Sequence, residues 1–186
     1  MARPAGLAGT WLAAWRGGGT ERFEVSSGPG SSHSVASVGD ITVLFDGLLH
    51  TRREWLHEFS LPTASDASLV LHAYQRWGEG VLERVKGLFA LIVRDGGKDI
   101  LLCARDPHGM HPCFYADDAG DLFLSASAEA LARHPRIPGT VDRVAIADHL
   151  CHRWPRLEST YFDAVRRLPG GYALRIREGR RTVTRY

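Results

Sequence analysis

Several things are scarce in this 186-residue chain, and each scarcity closes off a class of function. No stretch approaches the ~20 apolar residues of a membrane-spanning helix, so no membrane partner is expected. Cysteine is rare: Cys103, Cys113 and Cys151 are odd in number and show no CxxC spacing. That argues against a disulfide framework and against a zinc ribbon. Net charge is only +2, too weak to imply a nucleic-acid or membrane partner. The first fifteen residues are mildly apolar with one arginine and no clean apolar block, which is a poor signal peptide, so the chain reads as cytoplasmic.

What remains is a soluble, globular composition, 44% hydrophobic and 24% charged, long enough for one domain with a sizeable core over residues 1–186. Residues 87–95, GLFALIVRD, and residues 100–106, ILLCARD, read as two strands joined at Gly96-Gly97. The first is an unbroken apolar run, so its sheet must be covered on both faces. Gly-Gly suits a short hairpin because it tolerates positive φ. Cys103 and Cys113 lie in apolar surroundings and read as core residues.

Around this hairpin the chain alternates strand blocks and helix blocks. A first strand is expected within 6–15, a Gly/Ser-rich loop over 16–34 with a short strand at 23–25, and one strand over 35–45 that Asp46-Gly47 breaks. Helices follow over 49–59, with Trp55 and Phe59 at i, i+4, and from Ser65-Asp66 to Trp77, where either Ser65 or Asp66 can cap and Gly78 stops the helix. Leu69, Val70, Ala73 and Trp77 form the apolar stripe of that helix, and a short helix covers 81–85. A second hairpin spans 113–125, helices cover 126–134 and 141–151, residues 152–169 are irregular, and a hairpin over 172–186 closes the chain. The fold class is α+β: a four-layer α-β-β-α sandwich of two mainly antiparallel sheets with helices outside.

Few candidate site residues stand out. Arg175, Arg177, Arg180 and Arg181 read as the solvated face of the last hairpin rather than a phosphate patch. His108 with His111, and His149 with His152, have ligand-like spacing but no third ligand, so no metal site is expected. Arg105-Asp106 read as a tie between a strand end and a neighbouring loop.

The order and wording of the segments resemble the glutaminase domain of asparagine synthetase-like proteins, the class II glutamine amidotransferases. The family's GxFAxxxxD matches Gly87 to Asp95, and its ARDxxGxxPLYY resembles Ala104 to Tyr115. Its SDxExLLxxYxxWG resembles Ser65 to Gly78, and its RLPPGH resembles Arg167 to Gly171. This resemblance implies an N-terminal-nucleophile (Ntn) hydrolase-like sandwich. It also implies a site in which an N-terminal cysteine attacks the glutamine side-chain amide with its own α-amine as base.

The site residues depart from that pattern. The family begins CGIAG; here the matching residues are Ala5-Gly6-Leu7-Ala8-Gly9, so a methyl stands at the nucleophile position and four residues precede it. The family's NGEIYN supplies an Asn side chain and a Gly N–H to the oxyanion hole, and the matching residues are Asp46-Gly47-Leu48-Leu49-His50-Thr51. An ionised Asp accepts hydrogen bonds and does not donate them. The arginine of the family's RLSIID has no match within 12–45. Gly47 remains, as does Asp66, which matches the acid that holds the substrate amine; without a ligand, Gly47 reads as a turn glycine and Asp66 as a helix cap. Thr10 and Ser26 do not fit as substitute nucleophiles.

The resemblance therefore implies a glutaminase domain that has lost hydrolysis, similar to those of β-lactam synthetases and of lasso-peptide or macrolactam cyclases. Such a domain needs no cofactor. ATP and Mg belong to an ATP-pyrophosphatase-type synthetase domain or subunit, the expected partner, and a homodimer is left open. No SGGxDS ATP loop occurs in the chain, so a fragment of a ligase and a split subunit are both expected possibilities. Two alternatives stay open: an active glutaminase that supplies ammonia for asparagine synthesis, and a free-standing amino-acid-binding module.

Overall fold

The structure, a computed structural model, describes residues 9–16, 23–154 and 156–186. In chain order these form β1 (Trp11–Trp15), β2 (Phe23–Ser27), β3 (Ser34–Val38), β4 (Ile41–Leu49), α1 (Arg52–Glu58), α2 (Asp66–Trp77) and a 3-10 helix (Gly78–Glu83). There follow β5 (Gly87–Asp95), β6 (Ile100–Arg105), β7 (Phe114–Asp118), β8 (Asp121–Ser125), α3 (Ala128–Ala132), α4 (Arg143–Leu150), β9 (Arg166–Arg167), β10 (Tyr172–Arg177) and β11 (Arg180–Arg185). Backbone proximity groups them into two units, residues 1–31 with 112–169 and residues 32–111 with 170–186.

The first unit carries a five-stranded sheet in the order β2-β1-β8-β7-β9, and every pairing is antiparallel. The β7–β8 turn is made by Ala119 and Gly120, both at positive φ, which suits the twist of a two-residue hairpin. Ser127 caps α3 by accepting the Ala130 N–H at 3.2 Å, and Leu131 packs with Phe123, Ala116, Ile137 and Val165. Arg136 clamps the hairpin from outside, reaching Asp118 at 2.7 Å and Asp121 at 2.5 Å.

The second unit carries a six-stranded sheet in the order β11-β10-β6-β5-β4-β3, again antiparallel throughout. Phe89 to Val93 on β5 are fully buried, as the unbroken apolar run requires. One face, with Val43, Phe45, Phe89, Leu91, Val93 and Leu102, packs against α2. The α2 stripe is broader than its sequence spacing suggests: Ala67, Leu71 and Tyr74 are buried beside Leu69, Val70 and Ala73. Tyr74 donates its hydroxyl to Asp95 at 3.0 Å, and burial with that carboxylate raises its pKa. Trp55 meets Phe59 at 6.2 Å between ring centroids and Trp77 at 6.0 Å, which ties α1 to the end of α2.

Three expectations are corrected. Residues 35–45 are not one strand but the hairpin β3–β4, turning at Gly39-Asp40. Asp46-Gly47 does not break β4, which runs on to Leu49 because β5 continues to pair with it as far as Gly87; α1 accordingly starts later than residue 49. Between β5 and β6 neither Gly96 nor Gly97 takes positive φ; Asp99 does, at 52°, while the Asp95 carboxylate accepts the Lys98 N–H at 3.1 Å and shapes the longer turn. In α4 no residue is buried.

The buried ring of Phe89, stacked on Phe45 at 5.7 Å, is central to this core. Phe89→Ala is expected to lower unfolding stability by about 3–5 kcal/mol in urea titrations; a loss below about 1 kcal/mol would contradict this packing.

Candidate functional site

Asp46 lies near the end of β4, opposite Ala90 of β5, with its carboxylate buried. The Ser32 hydroxyl is 3.4 Å from Oδ1, and His111 Nε2 is 2.8 Å from Oδ2. The His111 contact is a close approach rather than an aligned hydrogen bond. Gly47 follows within the strand, not in a turn, at φ 132°. A Cβ there would sit 2.0 Å from the Leu88 carbonyl oxygen, so the close approach of β4 to β5 admits only glycine.

His111 reaches Asp46 because of Asp106. This carboxylate has no solvent contact and accepts three backbone N–H groups: His108 and Met110 at 3.1 Å, and His111 at 2.8 Å. Its own N–H donates to Phe89 and its carbonyl accepts from Gly109 and Gly171. Arg105 adds side-chain bonds to the carbonyls of His111, at 2.6 Å, and Gly109. Arg105 and Asp106 thus tie a strand end to its loop.

Asp66 opens α2 but does not cap it. The capping oxygen belongs to Ser65, which accepts the Ser68 N–H at 3.1 Å. The Asp66 carboxylate instead pairs with the Arg52 guanidinium, which also donates to the Ala64 carbonyl at 2.6 Å. Its charge is therefore answered from within the chain.

The remaining candidates have structural partners. Thr10 and Ser26 spend their hydroxyls in the first unit, on the Trp11 carbonyl with the Ser125 hydroxyl and on the Leu12 carbonyl. Arg175 is half-buried, pairing with Glu79 at 2.8 Å and donating to Thr184 at 2.6 Å, while Arg177, Arg180 and Arg181 are exposed. His149 stands edge-on to Tyr161. Among the described residues no three His, Cys, Asp or Glu side chains converge as a metal site. No described helix is long and apolar enough to cross a membrane. Ala5, the nucleophile position by resemblance, lies outside the described residues.

A family model described as a glutamine amidotransferase domain matches residues 8–186, both units together. The chain belongs to that family. Among curated relatives of this amidotransferase domain is asparagine synthetase [glutamine-hydrolyzing] 3 of Bacillus subtilis, 25% identical over 151 residues, 78% of this chain and 25% of that protein. A putative asparagine synthetase [glutamine-hydrolyzing] of Mycobacterium tuberculosis is 31% identical over 135 residues, 70% of this chain and 21% of that protein. The chain thus matches a quarter or less of the length of these relatives. Among solved structures, glutamine phosphoribosylpyrophosphate amidotransferase of Bacillus subtilis superposes with a TM-score of 0.60 at 11% identity, covering 96% of this chain and 43% of that one. That likeness places the two antiparallel sheets and their helices in the Ntn amidotransferase fold.

The partners of the two acids were not legible in sequence. Arg52 precedes Asp66 by 14 positions, and His111 follows Asp46 by 65, its visible signal being only the spacing to His108. No local periodicity marks either pairing.

Two measurements check this geometry. Ser65→Ala is expected to lower stability by about 1 kcal/mol through the lost cap, while Asp66→Asn leaves that cap in place; equal losses would contradict it. The second concerns pH. Burial holds His33 below its ordinary 6.5, against the opposing pull of Asp46, and burial followed by Arg136 does the same for His134. Both are then neutral in the folded chain where the unfolded chain binds protons, so stability falls as pH drops below 6.5. His33→Asn with His134→Asn should flatten that slope in urea titrations across pH; an unchanged slope contradicts the assignment.

Proposed function

We propose that this amidotransferase domain no longer hydrolyses glutamine and serves an ATP-dependent, amide-forming ligase of the asparagine synthetase kind as a scaffold or docking domain. The reading is carried by Asp46. At the position where the resemblance calls for an Asn donor there is a buried carboxylate facing Ser32 and His111. It has no N–H to offer a developing oxyanion, and loss of one such donor lowers rate by roughly 10²–10³. The methyl of Ala5 adds the loss of the nucleophile itself.

Asp66 supports the same reading. A carboxylate set to receive a substrate ammonium is best left uncompensated, and this one is already paired with Arg52. That pairing also argues against a free-standing amino-acid-binding module. The names of the relatives, and the quarter or less of their length that this chain matches, support a synthetase partner in the same or a separate polypeptide. ATP and Mg would be bound by that partner, and the complex would work in the cytoplasm.

The test is a direct glutaminase assay on purified protein. Glutamate release is expected at background for the natural chain and also for Asp46→Asn, since restoring a donor supplies no nucleophile. Turnover by the natural chain above background would refute the proposal.

A further inference from the structure

We propose that the exposed apolar flank of residues 141–161 is the surface on which the synthetase part of such a ligase docks; this rests on the partner reading above. The segment is an excursion within the first unit. Its base is closed by the Val141–Phe162 bridge, by Asp142 N–H to the Tyr161 carbonyl at 2.9 Å, and by Asp163 N–H to the Thr140 carbonyl at 3.0 Å. Within it, α4 has eight residues and a good N-cap, Asp142 accepting the Ala145 N–H at 2.9 Å. A helix shorter than about 12 residues is marginal in water without a packed face. Yet no residue of α4 is buried. Among the described residues, nothing supplies the packing that such a helix ordinarily depends on.

The side chains that would supply it point outward. Ile146 and Leu150 share one helical face at i, i+4, and Leu150 is 72% exposed. Trp154 is 96% exposed and Leu157 73%, with Val144 and Tyr161 also exposed. Large apolar groups gathered on one excursion mark an interaction surface, and a tryptophan is the side chain most enriched at interface hot spots. Charges lie among them in both signs, Arg143, Asp148, Arg153 and Glu158, as on an interface rim.

The occupant is argued from length. In the relatives, three quarters or more of the polypeptide lies outside the matched region, so a further body accompanies this domain there. A synthetase body of that size can cover the flank, whether joined to this chain or separate.

The experiment uses the SGGxDS-bearing synthetase of the same genome, as a separate protein or as the continuation of this chain. Amide exchange over residues 143–150 is expected to be fast in the chain alone and slow in the complex. Leu150→Glu with Trp154→Glu should weaken binding, or interdomain protection, by at least about tenfold. Both positions are exposed, so thermal melting of the isolated chain should not change. An unweakened complex, no protection at α4, or a self-dimer of the chain that the same variant dissolves would each overturn the proposal. A glutaminase assay on the complex keeps the two readings apart: glutamate release would sink the loss of hydrolysis and leave docking standing.

Discussion

A single carboxylate without solvent contact fixes the geometry of the second unit's site. Asp106 gathers three backbone N–H groups of the turn that follows it, and its own main chain bonds to Phe89, Gly109 and Gly171. A buried carboxylate is costly unless such donors surround it, so disrupting the turn would leave its buried oxygens without partners. That stiffness sets the His111 ring against Asp46 and anchors the entry to the last hairpin at Gly171. The buried β5 strand supplies the other half of the constraint, because the close approach at Gly47 holds Asp46 at a fixed height on the sheet.

From this follows the character of the site. Each of the two acids singled out by resemblance to glutaminases meets a basic side chain of the same chain, Asp46 meeting His111 and Asp66 meeting Arg52. An amidotransferase pocket works by leaving charges and donors poised for a ligand, and preorganisation of that kind is where its transition-state stabilisation resides. That Asp46 and Asp66 already meet side chains of the same chain supports the proposed loss of hydrolysis. The fold is kept, and fold alone does not carry activity.

Much of the architecture was legible because burial writes itself into local pattern. The apolar run of β5, the span of α2 with its terminal Gly78, and the closing hairpin follow from local pattern at nearly their observed bounds. Errors arose where a long-range partner overrode a local signal. Asp46-Gly47 looks like a strand breaker, yet β5 continues to pair through it. Gly96-Gly97 looks like the turn's left-handed pair, yet Asp95 and Asp99 shape that turn. Asp66 could serve as a cap, but Ser65 takes that role and Arg52 takes the carboxylate. Asp46 is legible as a substitution and Asp66 as a retained acid in a familiar motif; what they touch is not, since those contacts span 65 and 14 residues with no repeating pattern.

The outer strand β11 has a consequence of its own. Its sequence, Arg180 to Arg185, places three arginines on a strand whose far side has no neighbour among the described residues. An open edge of this kind can recruit the edge of another molecule and nucleate fibres. Two such edges approaching each other would bring like charges face to face, which opposes edge-to-edge pairing between molecules.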